Sequence, residues 1–133
     1  MHASCVAVSG RGVLIMGPSG SGKSALALQL MAFGAELVAD DQTEVSLEVG
    51  LVARCPAVLS GLIEARGVGL LAAVALPQAE IRLVVDMGAS EPDRLPPQRS
   101  VTILGTAVDL VLGRGNDHLA ASVQCYLKGF RQA

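Results

Sequence analysis

The segment GPSGSGKS at residues 17–24 constrains this chain more than any other, because it meets the phosphate-cradling pattern GxxxxGK plus Ser or Thr at every fixed position. Such a loop works only between a strand that ends at it and a helix that starts from it, so that backbone N–H groups and the helix N-terminus converge on an anion. Both neighbours are present. Residues 13–16 (VLIM) are an apolar run, and residues 24–33 (SALALQLMAF) are strong helix formers with almost no polar face, ending at Gly34 as a C′ residue. The order strand, Gly-rich loop, buried helix predicts an α/β fold and a bound polyphosphate cradled by Gly17, Pro18, Ser19, Gly20, Ser21, Gly22, Lys23 and Ser24. There Lys23 neutralises β/γ-phosphate oxygens and the Ser24 hydroxyl is available to Mg²⁺. The plain alternative is an exposed Gly/Ser turn with a surface lysine.

The rest of the chain reads as strand-rich. Residues 6–8 pair with residues 13–16 as a hairpin across Ser9-Gly10-Arg11-Gly12. Residues 36–39 form a short strand ending in Asp40-Asp41, and residues 43–49 alternate Val45, Leu47 and Val49 with polar neighbours, pairing with residues 51–54 across Gly50. One or two helical turns are expected over residues 57–63 after Pro56, then a tight irregular loop over residues 64–69. Residues 70–76 and 81–87 read as extended and buried, and residues 88–100 as a Pro-rich loop. Two last strands at 101–104 and 108–112 precede a helix capped by Asn116 or Asp117, with Leu119, Val123, Leu127 and Phe130 on one stripe. A single domain over residues 1–133, with a mixed sheet rather than regular βαβ alternation, is the expectation.

Composition narrows the partners. Aromatics make up 2% of the chain, so stacking on bases is excluded as a main binding device, and a net charge of −2 without a basic block argues against nucleic acid. The three cysteines, Cys5, Cys55 and Cys125, form no CxxC pair and fit neither a disulfide framework nor a zinc site, as expected of a reducing cytoplasm. No apolar run is long enough to span a bilayer, and no signal peptide is evident.

Asp40 and Asp41 follow Lys23 by 17 and 18 residues, and adjacent strand residues point to opposite faces. One can therefore face the phosphate site as a base for phosphoryl transfer while its neighbour is held elsewhere, or both can simply end a strand in a polar turn. Glu64 with Arg66 offers a metal ligand and a phosphate clamp, or an ordinary solvated charge pair. On the residues alone, Arg94 is an ordinary surface arginine or a phosphate contact on a mobile loop, and His2 a tail residue.

Taken together, HASCVAV at the start, GPSGSGKS, ELVADD, LIEARGVGLL, DRL at residues 93–95 and the final helix resemble the catalytic domain of bacterial HPr kinase/phosphorylases. These enzymes phosphorylate a serine of a phosphotransferase-system carrier. The resemblance implies a P-loop mixed-sheet kinase fold related to phosphoenolpyruvate carboxykinase, ATP and Mg²⁺ as cofactors, and an HPr-like carrier as the protein substrate. It implies Asp41 as the base, Asp40 in support, Lys23 on the phosphates and Ser24 and Glu64 on Mg²⁺, and it carries His2 and Arg94 into the active site. The family assembles as hexamers and places a separate domain before the catalytic one, so a short form is expected here. Its PVRPGR-like element, tied to dephosphorylation, has only residues 110–116 (LVLGRGN) in its place, which makes kinase activity the main expectation. A small-molecule kinase and a non-catalytic nucleotide-sensing module are the alternatives.

Overall fold

The computed structural model describes residues 1–56 and 60–131. In chain order these form β1 (Ala3–Val8), β2 (Arg11–Met16), α1 (Lys23–Ala32), β3 (Glu36–Ala39), β4 (Glu44–Leu47), β5 (Leu51–Arg54), β6 (Leu62–Ala65), β7 (Gly69–Ala72), β8 (Gln78–Asp86), β9 (Ser100–Ile103), β10 (Thr106–Leu112) and α2 (Leu119–Gly129). β1 and β2 make the expected antiparallel hairpin. Its two-residue turn, Ser9-Gly10, has φ of 51° and 77°, the positive values that match a tight hairpin to strand twist.

The main sheet runs β3-β1-β2-β8-β10-β9. β8 lies parallel to β2 along one edge. Its other edge is shared, with β5 antiparallel against the first half and β10 parallel against the second, and β4 pairs outside β5. The sheet is therefore mixed, and the domain is α/β with two helices among the described residues.

Both faces of the central strands are buried, which is why their sequences are apolar runs rather than alternations. On one face Val6, Val8, Val13, Ile15, Leu37, Leu83 and Val85 pack under Leu26, Ala27 and Leu30 of α1 and Leu119, Val123 and Leu127 of α2. On the other, Ala3, Cys5, Ala7, Leu14, Val38 and Val84 meet Leu51, Ala53 and Val108. α1 ends as the sequence predicts: Gly34 takes φ 103°, its N–H bonds Met31 O at 2.9 Å and the Ala35 N–H bonds Leu30 O at 3.0 Å, turning the chain back into β3.

Several expectations need correction. Of the helical turn expected over residues 57–63, residues 57–59 lie outside the described residues, but Leu62 and Ile63 belong to strand β6, which pairs with β7 as a separate two-stranded hairpin. Leu62, Ile63, Glu64 and Ala65 alternate exposed and buried, the period of a strand and not of a helix, so Glu64 stands on a strand rather than in an irregular loop. Residues 70–76 include extended chain but are not buried, because Leu70 pairs opposite Glu64 on the outer face of this hairpin and is 66% exposed. At the last helix Asn116 accepts the His118 N–H at 3.0 Å, one turn ahead of α2, whose N-cap is His118. Phe130 leaves the helix at φ 58° and sets its ring 4.8 Å from the Arg11 guanidinium. No helix among the described residues is long and apolar enough to cross a membrane.

Candidate active site

The P-loop leaves β2 at Gly17, where φ is 147° and a Cβ would stand 2.5 Å from Ser21 Oγ and 3.1 Å from Met87 Cβ. Only glycine fits so tight a start. The Ser21 N–H closes the loop on Pro18 O at 3.1 Å, and the Leu26 N–H bonds Gly22 O at 3.0 Å to open α1. Gly22 supplies no capping side chain and the first turn holds no acidic residue, so no side chain claims the helix's first amide donors. Free amide donors at a helix N-terminus are the groups that can receive an anion. Lys23 is 7% exposed, and its ammonium donates to Gly17 O at 2.9 Å and Pro18 O at 3.1 Å. The charge is thus stored against carbonyl oxygens of the very loop that would receive a phosphate.

The two aspartates sit just past the end of β3, where the chain turns rather than continuing as a strand. Asp40 accepts from Ser24 Oγ at 2.8 Å, from Ser4 Oγ at 2.9 Å and from the Glu64 N–H at 3.1 Å. Asp41 takes a left-handed φ of 65°, a conformation that Asp tolerates better than most residues, and its N–H bonds Ser4 Oγ at 3.1 Å. Its carboxylate lies 3.4 Å from His2 Nδ1, with both side chains well exposed. The strand-alternation argument therefore fails at this pair: the turn brings both carboxylates to the rim of one cleft instead of sending them to opposite faces.

That cleft has a volume of about 540 Å³ and collects Ser19, Lys23, Ser24, Asp40, Asp41 and Glu64, together with His2 and Arg66. Arg94 does not line it. The loop after β8 turns away, bridging Ser90 to Gly113 and clasping Glu91 to Arg99 at 2.8 Å, and Arg94 borders a separate pocket of about 450 Å³ with Arg114, His118 and Arg131. Of the predicted site residues, all but Arg94 are thus brought to the P-loop and its cleft.

No group of three or more His, Cys, Asp or Glu side chains stands together as a ready metal site among the described residues. Ser24, Asp40 and Glu64 offer only hard oxygen donors, however, which suits Mg²⁺, an ion held by one or two protein oxygens beside substrate phosphates. Ser4 was not visible as a site residue from the sequence. Its signal is a polar residue in the otherwise apolar strand ASCVAV, fully buried and bonded to both aspartates. Asp86 also ends an apolar strand, the parallel neighbour of β2, but its carboxylate accepts the Gly88 N–H at 2.8 Å and does not reach the cleft.

Known proteins match this architecture. Residues 1–111 match the HPr Serine kinase C-terminal domain. The HPr kinase/phosphorylase of Aromatoleum aromaticum is 40% identical over 123 residues, covering 81% of this chain and 39% of the relative. That of Limosilactobacillus reuteri is 39% identical over 102 residues, covering 70% and 32%. The chain thus spans well under half the length of these relatives. The solved Hpr(Ser) kinase/phosphatase of Coxiella burnetii aligns with a TM-score of 0.78 at 27% identity, over 96% of this chain and 87% of that one. With most of its length matched, and with the mixed-sheet P-loop kinase fold of that structure, the chain belongs to the HPr serine kinase C-terminal domain family.

Proposed function

We propose that this chain is the catalytic part of a protein serine kinase that uses ATP and Mg²⁺ to phosphorylate an HPr-like carrier protein in the cytoplasm. One observation carries the reading: an uncapped helix start, a buried lysine ammonium and the carboxylates of Asp40, Asp41 and Glu64 converge on a single cleft. The P-loop amides and Lys23 bind and orient the polyphosphate, and preorganised donors of this kind stabilise charge on the transferring group. Ser24, Asp40 and Glu64 hold Mg²⁺, which when bound neutralises phosphate charge. Asp41 accepts the proton of the carrier's serine hydroxyl as that oxygen attacks the γ-phosphorus in line. The bond from the γ-phosphorus to the bridging oxygen breaks, and ADP leaves with its electron pair. His2, beside Asp41, orients that carboxylate. Arg94, outside the cleft of the single chain, is assigned no step.

The test is phosphoserine formation on HPr-like carriers by the purified protein with ATP and Mg²⁺. Serine phosphorylation that disappears in Lys23→Ala supports the proposal. ATP consumption with small metabolites only, or tight ATP binding without turnover on any carrier, overturns it.

A further inference from the structure

β1 shows one polar side chain sealed inside its sheet. Ser4 is 0% exposed, and by the alternation of the strand it shares a face with Val6 and Val8, the face that packs under α1. Its hydroxyl does two things at once. It donates to Asp40 Oδ1 at 2.9 Å and accepts the N–H of Asp41 at 3.1 Å, so one buried oxygen ties the side chain of the first aspartate to the backbone of the second. A hydroxyl combines donor and acceptor in this way; an aliphatic side chain of similar size can do neither.

The strand ends do not need this hydroxyl to stay together. The Ala3 N–H bonds Asp41 O at 3.1 Å, Thr43 Oγ1 donates to Ala3 O at 2.7 Å, and β1 pairs with β2 along its length and with β3 from Cys5 to Ala7. What Ser4 adds is orientation. Asp40 Oδ1, the oxygen that accepts from Ser4, is the same oxygen that accepts from Ser24 Oγ, and the Asp41 N–H that it receives belongs to the residue with left-handed φ. We propose that Ser4 is a positioning residue for phosphoryl transfer, holding the Asp40 carboxylate against the P-loop serine and pinning the turn that aims Asp41 into the cleft. The inference rests on the kinase reading above and adds to it a residue that touches neither substrate nor nucleotide.

The experiment compares ATP binding by calorimetry, with and without Mg²⁺, for the wild type, Ser4→Ala, Asp40→Asn and the double variant. Ser4→Cys is run beside them, since it fills the same space while giving up the strong hydrogen bonds. A residue that supports metal-holding oxygens costs roughly tenfold or more in the metal-dependent affinity. Ser4→Ala and Ser4→Cys should therefore lose about tenfold with Mg²⁺ present and less than about twofold without it. On the Asp40→Asn background the Ser4 change should add less than about twofold, because it acts through Asp40. Equal losses with and without Mg²⁺, or effects of Ser4→Ala and Asp40→Asn that multiply in full, overturn the inference and leave Ser4 as packing. Wild-type protein that binds ATP no better with Mg²⁺ than without overturns the kinase reading itself, and this inference with it.

Discussion

Asp40 and Asp41 are adjacent and carry the same charge, yet the structure predicts opposite consequences for replacing them. Asp40→Ala removes the acceptor of three donors. The Ser4 hydroxyl, 0% exposed, is then left without its acceptor. One such buried orphan costs about 1–3 kcal/mol. Ser24 and the Glu64 N–H lie nearer to water and lose about 0.5–1 kcal/mol each. The sum is ~3 kcal/mol, which for a chain of this size lowers Tm by ~10 °C. Asp41→Asn should do nothing comparable. The Asp41 side chain is 60% exposed and faces only a half-exposed His2 at 3.4 Å. Exposed pairs of this kind contribute about 0–1 kcal/mol. Asn tolerates the left-handed φ and keeps the N–H that Ser4 accepts, so Tm should stay within ~3 °C. The transfer rate should nevertheless fall by about two to four orders of magnitude, the range for loss of a general base. Thermal melts without nucleotide or metal, together with initial rates of carrier phosphorylation, separate the two effects. An Asp40→Ala protein melting within ~3 °C of wild type would refute the buried network, and an Asp41→Asn protein with an unchanged rate would refute the base assignment.

Two further outcomes follow from packing and burial. Gly17→Ala should lower nucleotide affinity at least about tenfold and stability by about 1–3 kcal/mol, because its Cβ would meet Ser21 Oγ at 2.5 Å; calorimetric binding close to wild type would show that the loop relaxes freely. Burial raises the Cys5 thiol from 9.0 to about 12, so on raising the pH the unfolded chain loses this proton first. The Cys5 contribution is whole below pH 9.0 and is lost as pH climbs toward 12. Wild-type stability in urea should then fall more steeply with pH than that of Cys5→Ala, by up to ~1.4 kcal/mol per pH unit, and parallel slopes would contradict it.

What could be read from the sequence was what is local. The β1–β2 hairpin, the loop into α1, the Gly34 stop and the β4–β5 pair all follow from signals within a few residues of where they act. Hydrophobicity alone misleads at residues 70–76, which are apolar but not buried, and residues 62–63 read as helix because a four-residue strand shows too little of its period. Only Ile63 and Ala65 of β6 turn inward, while Leu70 of β7 stands outside, opposite a glutamate. The placing of β8 between β2 and β10, parallel to both, joins segments far apart in the chain, and no periodicity within one segment reports it.

The site divides along the same line. The P-loop and Glu64 could be named from motif and resemblance, and they meet at the cleft. The directions of Asp40 and Asp41 could not, because the argument from strand alternation holds only while the backbone stays extended, and at Asp41 it turns left-handed. One change of φ converts two carboxylates that would face opposite ways into a pair bordering the same space. Ser4 reaches Asp40 across 36 residues of chain. A lone serine in an apolar strand reads as a tolerated small residue until the fold delivers its acceptor. A buried hydroxyl is costly without partners, and the turn after β3 supplies this one with an acceptor and a donor together. The turn that ends β3 therefore serves both ends of one contact: it satisfies the hydroxyl buried in β1, and through the same Asp40 oxygen it faces Ser24 of the P-loop.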